Sequence, residues 1–131
     1  MATLPLRSAA AASDASLNLA LAAARVAEDN RGQDIVVIDL REITPVFDFF
    51  VIATGSSKRQ LHAISEDIDR IFEKELGQHR RGIEGYAEGR WVLLDYGDVV
   101  IHLFDPEARE YYSLEQLWGD AVRVELPAAR A

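Results

Sequence analysis

The residues best placed to do chemistry are Gly55 and Ser56, followed by Asp67 and Asp69. A Gly-Ser turn after a strand, then an acid-x-acid pair, is one way that nucleotidyl-transferring enzymes hold magnesium. Two carboxylates at i and i+2 share a face only on a strand, where side chains alternate in direction. The stretch from Ser57 to Leu76 has a different period. Leu61, Ile64, Ile68, Ile71, Phe72 and Leu76 recur three or four apart, while Glu66, Asp67, Asp69 and Arg70 fall off that stripe. On such a helix Asp67 and Asp69 point about 200° apart, at 3.6 residues per turn. They do not converge on one ion, so no metal site and no cofactor is expected.

Gly55-Ser56-Ser57-Lys58 leads into the start of that helix, where free backbone amides can bind phosphate. The spacing of a P-loop is missing, however, and a strand-to-helix turn needs a glycine and a capping serine for structural reasons alone. Lys58 and Arg59 sit at the positive end of the helix dipole, facing an anion or water. His62 and His79 have no acid or second histidine at a ligand spacing, and His102 lies inside an apolar strand, where it reads as a structural histidine. The chain has no cysteine, which removes disulfides, thiolate metal sites and cysteine nucleophiles together. The reading is therefore not an enzyme. Its alternative is a cryptic nucleotidyltransferase or nucleotide-binding protein using Gly55, Ser56 and Lys58.

The elements that position these residues follow from local pattern. A helix is expected over Ser16 to Asn30, ended by a left-handed Gly32. Strands are expected at Asp34–Leu40 and Asp48–Thr54, with Thr44-Pro45 breaking the chain between them. The helix from Ser57 stops at Gly77. A polar connection, Gln78 to Gly89, surrounds Ile83-Glu84-Gly85-Tyr86. Trp91–Asp95 and Val99–Phe104 read as strands joined by a tight turn at Tyr96-Gly97-Asp98. Both are nearly continuously apolar, as in strands covered on two faces. Arg109–Tyr112 is expected as a short edge piece. Ser113 looks like an N-cap in a capping box with Gln116, opening a short helix with Leu114, Leu117 and Trp118 along one face. Val122–Leu126 reads as a last strand. The order describes a single α/β domain, a mixed sheet with flanking helices. Strand 48–54, helix 57–76 and strand 91–95 form its expected right-handed crossover unit. Residues 1–15 are read as a disordered, Ala-rich extension, although their composition also suits an organelle transit peptide. Residues 16–126 form the domain and 127–131 a flexible tail.

At 131 residues the chain is long enough for one sizeable core. Fourteen basic against 22 acidic residues leave a net charge of −8. An acidic body repels phosphate backbones, so no dedicated nucleic-acid site is expected. A basic protein would be attracted, though the charge also serves solubility. No apolar stretch approaches the roughly 20 residues that span a bilayer. Large side chains remain in awkward places. Trp91 follows the polar Glu88-Gly89-Arg90, and Tyr111 and Tyr112 are adjacent. With Glu84, Asp95, Asp98 and Glu115 nearby in sequence, they suggest an apolar patch with an anionic rim, suited to a basic protein.

Several blocks are similar to a known family. Asp34-Ile35-Val36-Val37-Ile38-Asp39 and Asp48 to Ser57 resemble the first two blocks of the Iojap-like ribosomal silencing factors, also called RsfS. Glu84-Gly85 and Trp91 to Phe104 resemble the third, and Arg109, Tyr112, Leu114-Glu115 and Leu117-Trp118 the fourth. The resemblance covers about residues 16 to 121. It implies a nucleotidyltransferase-like α/β fold without that enzyme's metal chemistry. It further implies a cytoplasmic translation repressor that binds large-subunit ribosomal protein L-fourteen and sterically blocks joining of the two ribosomal subunits. Homodimers of the free protein are also implied. Carried onto this chain, the partner-binding residues are Trp91 first, then Glu84, Val92, Asp95, Asp98, Arg109, Tyr112 and Glu115. Phe49 stands where the family often has tyrosine, and Met1 to Asp14 has no counterpart.

Overall fold

The structure is a computed structural model that describes residues 3–127, with side chains described from Asp14 onward. Its elements, in chain order, are α1 (Thr3–Asp29), β1 (Gln33–Asp39), β2 (Phe49–Thr54), α2 (Lys58–Leu76), β3 (Gly82–Glu84), β4 (Trp91–Asp95), β5 (Val99–Phe104), α3 (Pro106–Tyr112), α4 (Leu114–Leu117) and β6 (Val122–Val124). The strands form one six-stranded sheet in the order β3-β4-β5-β2-β1-β6. Among the described residues only β2 and β5 pair in parallel; every other neighbouring pair is antiparallel.

Strand alternation sorts the apolar residues into two layers. Val37, Phe49, Val51, Ala53, Ile101 and Leu103 face α1 and α2, whose Ala20, Ala23, Ala27, Leu61, Ile64, Ile68 and Phe72 are fully buried against them. On the opposite face, Ile38, Phe50, Ile52, Val100 and Phe104 lie under the α3–α4 segment, held by Ala108 and Leu114. Burying such a side chain contributes about 1.5–3 kcal/mol, so this second, smaller core is what secures α3 and α4.

The periodic helix forms as its pattern dictates. Ser57 is the N-cap and accepts from the Gln60 amide, and Gly77 (φ 64) ends α2 in the left-handed region. The first helix ends differently from expectation. Arg31, not Gly32, takes the left-handed conformation (φ 64), and Gly32 donates its amide to Ala27 O at 2.7 Å. Glycine is required at 32 because a Cβ would stand 2.9 Å from that same carbonyl. The helix also begins at Thr3, within the stretch read as an extension; among its residues with described side chains, the first that is buried is Ser16.

Three further expectations are corrected. The parallel neighbour of β2 is β5, not β4, because the tight hairpin makes β4 and β5 antiparallel and only one of them can run with β2. The central place goes to β5, every residue of which is buried, whereas β4 alternates buried and half-buried residues. Arg109–Tyr112 is helical rather than extended: Asp105 caps α3 by accepting from Ala108 N, and Pro106 supplies a helical φ at the first turn. Finally, Ser113 makes no capping box. It lies in the left-handed region (φ 44), closes α3, and its hydroxyl donates to Glu110 O. Leu114 is then buried, whereas Leu117 is 74% exposed, so the two do not share one buried face.

Candidate docking face

Asp67 and Asp69 diverge on α2 as the helical period requires. Asp67 accepts from Asn30 and Arg70, while Asp69 pairs with Tyr96 and Arg80. The Gly55–Ser57 turn is filled by Gln60, whose Oε1 accepts from the Ser56 amide at 2.6 Å and whose Nε2 donates to Asn30 O and Arg31 O. A Cβ on Gly55 would meet Leu61 at 2.7 Å. Packing thus accounts for the glycine and the serines. Among the described residues no group of three or more His, Asp or Glu side chains is gathered as a metal would need.

A different surface gathers most of the other singled-out residues. Along β4, Trp91, Leu93 and Asp95 point to the face that carries α3 and α4, with steps of about 6–7 Å between them. The α3–α4 segment leaves them half-buried. Glu84 lies directly opposite Leu93 in the β3–β4 register, on the same face, and is exposed. Trp91 packs against Phe104 (ring centroids 5.1 Å) and against Tyr112 of α3 (4.6 Å), which is itself 48% exposed. Asp98 is exposed in the hairpin turn, and Asp95 accepts there from the Gly97 amide at 2.8 Å. Arg81 lies over Gly97 beside these acids, so the rim is mixed at that end.

Val92 does not belong to this face. Strand alternation turns it to the α2 side, where it is fully buried among the main core residues. A partner cannot reach it. Arg109 is also engaged inside the protein: its guanidinium donates to both Glu115 oxygens and to Thr54 Oγ1, the last at 2.8 Å. With side chains 10% and 20% exposed, Arg109 and Glu115 form a latch that ties α3 and α4 to the end of β2. Burial is the largest single influence and raises the Glu115 pKa, but the hydrogen bonds from Arg109, a backbone hydrogen bond and the charges of Arg109 and Arg123 together outweigh it and hold the carboxyl below its usual range. Leu93 was missed. The period-two signal from Trp91 to Asp95 places it between them, but the near-continuous apolar run hides that alternation.

The loop before β4 is fixed by a close backbone approach. Gly85 (φ 75) sits where a Cβ would be 1.9 Å from Trp91 O, so the chain can pass over the start of β4 only with glycine there. Behind Trp91, His102 Nδ1 accepts the indole N–H at 3.1 Å. Burial pushes His102 down to about 3, so the ring is neutral near pH 7.

The family model described as "Ribosomal silencing factor during starvation" matches residues 13–131. The ribosomal silencing factor RsfS of Bacillus subtilis is 43% identical over 104 residues, 79% of this chain and 87% of that protein. A crystal structure of a Chromobacterium violaceum protein superposes with a TM-score of 0.76 at 34% identity, covering 88% of this chain and 95% of the other. A Mus musculus protein named mitochondrial assembly of ribosomal large subunit protein 1 is 39% identical over 88 residues, though these make up 39% of its own length.

Proposed function

We infer function from one premise: this chain belongs to the ribosomal silencing factor family. It binds the large ribosomal subunit through the strip formed by Trp91, Leu93 and Tyr112, with Glu84 and Asp95 beside it. By docking on ribosomal protein L-fourteen it obstructs joining of the small subunit and represses translation. The observation that carries this reading is the half-buried Trp91 on β4, bordered by carboxylates in a body of net charge −8. Aromatic anchors of this kind carry most of the energy of an interface, and acidic neighbours favour a basic partner.

The mechanism is occupancy. A domain of this length has a radius of gyration of about 14 Å, far too thick to fit within a closed intersubunit contact. No bond is made or broken, and no nucleotide is used. The name of the mouse relative supports a large-subunit partner. No described helix is long and apolar enough to cross a membrane, and the cytoplasm is the compartment where such a factor meets ribosomes. When free, the protein pairs as a homodimer.

Sedimentation of purified subunits tests the proposal. Added protein should reduce the joined-ribosome peak in proportion to dose and co-sediment with the large subunit. An unchanged peak at saturating protein refutes it.

A further inference from the structure

His102 occupies the middle of β5 and is 4% exposed, wedged against Phe50 at 4.6 Å between ring centroids. An apolar side chain would fill this space with no polar atom to desolvate. Histidine instead brings two nitrogens, and the structure uses one. Because the Trp91 indole N–H can only donate, His102 Nδ1 must accept, and the proton of the neutral ring sits on Nε2. That Nε2 is buried and has no hydrogen-bond partner. The arrangement carries a desolvation cost with no return at Nε2.

The bond joins a half-buried donor to a buried acceptor. What the bond adds is direction. Trp91 is held at two points, by ring contact with Phe104 and Tyr112 and by a hydrogen bond at the far edge of the indole. Local violations of good packing cluster where function demands them.

We propose that His102 is a positioning residue of the docking face: its Nδ1 fixes the Trp91 indole in one orientation before the partner arrives. This rests on the docking role assigned to Trp91 above. A preset aromatic anchor loses less side-chain freedom on binding than a mobile one.

The test uses the full chain in a Trp118→Phe background, so that Trp91 is the sole tryptophan. Two readouts are taken: solvent exchange of the indole N–H by NMR, and affinity for isolated large subunits. His102→Phe should expose the indole N–H to fast exchange and weaken binding about fivefold to tenfold. His102→Asn, whose Oδ1 can stand where Nδ1 stands, should restore slow exchange and part of the affinity. His102→Leu is the second variant without an acceptor, judged by the same two readouts if the phenylalanine is not accommodated. Binding by either of these variants within twofold of the parent, while Trp91→Ala abolishes it, overturns the positioning role and leaves the docking face intact. Parent-like binding by Trp91→Ala overturns the docking face itself, and the positioning role with it.

Discussion

Replacing Arg109 with methionine isolates the latch that ties the α3–α4 segment to the sheet. The substitution keeps an apolar stem of similar length and removes three charge-assisted contacts to Glu115 and one hydrogen bond to Thr54. Exposed ion pairs contribute about 0–1 kcal/mol, whereas removing one partner of a buried pair costs about 3–5 kcal/mol. At 10% and 20% side-chain exposure, this pair lies between those limits. We expect Arg109→Met to lose about 2–3 kcal/mol, a urea midpoint shift on the order of 1 M for a protein of this size. Part of that loss is the carboxylate left behind. Arg109→Met combined with Glu115→Gln should therefore be more stable than Arg109→Met alone. The pH dependence carries the opposite sign to burial. Glu115 is held below its ordinary value in the folded state, so its contribution is present above the ordinary carboxylate pKa and is lost as pH falls through the lowered one. Wild type and Arg109→Met should accordingly converge in acid. Urea denaturation at pH 7 and pH 3 measures both effects. A midpoint for Arg109→Met within about 0.2 M of wild type at pH 7 would show that solvent screens the pair and that the latch is not structural.

Four other outcomes follow from the same contacts. Trp91→Ala should weaken large-subunit binding by about 2 kcal/mol or more while cooperative unfolding persists; unchanged affinity in a pelleting assay removes Trp91 from the face. Binding should also weaken as salt rises through about 0.1 M, where charges are screened over about 10 Å, and a salt-independent titration would leave the acidic rim without a role. Gly85→Ala should cost more than about 2 kcal/mol, since positive-φ strain adds to a clash with Trp91 O, and wild-type thermal stability would contradict the close approach. His102 is depressed in the folded state, so the unfolded chain takes up a proton first and stability falls with acid between about 6.5 and 3, by up to about 1.4 kcal/mol per pH unit. Between pH 7 and pH 5 wild type should lose about 2 kcal/mol more than His102→Phe; parallel losses in urea titrations would mean that His102 is not buried neutral.

The chain by itself determined whatever depends on near neighbours. A stripe at three and four residues, a serine before it and a glycine after it were enough for α2 and both its ends. The same period showed that Asp67 and Asp69 diverge, which removed the metal pair without coordinates. Apolar runs marked β2, β4 and β5, and Gly97 marked the hairpin. At α3 local reading failed, because Asp105-Pro106 opens a helix that runs through Arg109–Tyr112, where an extended edge piece was expected.

Tertiary structure alone decided the order and register of the strands, since either β4 or β5 could have run beside β2. That choice turned Val92 into core and left Trp91, Leu93 and Asp95 on the opposite face. It also brought His102 behind Trp91 and Thr54 within reach of Arg109, pairs separated by 11 and 55 positions. Side-chain period is written into each segment, but which segments meet depends on loop closure and on burial shared by the whole sheet.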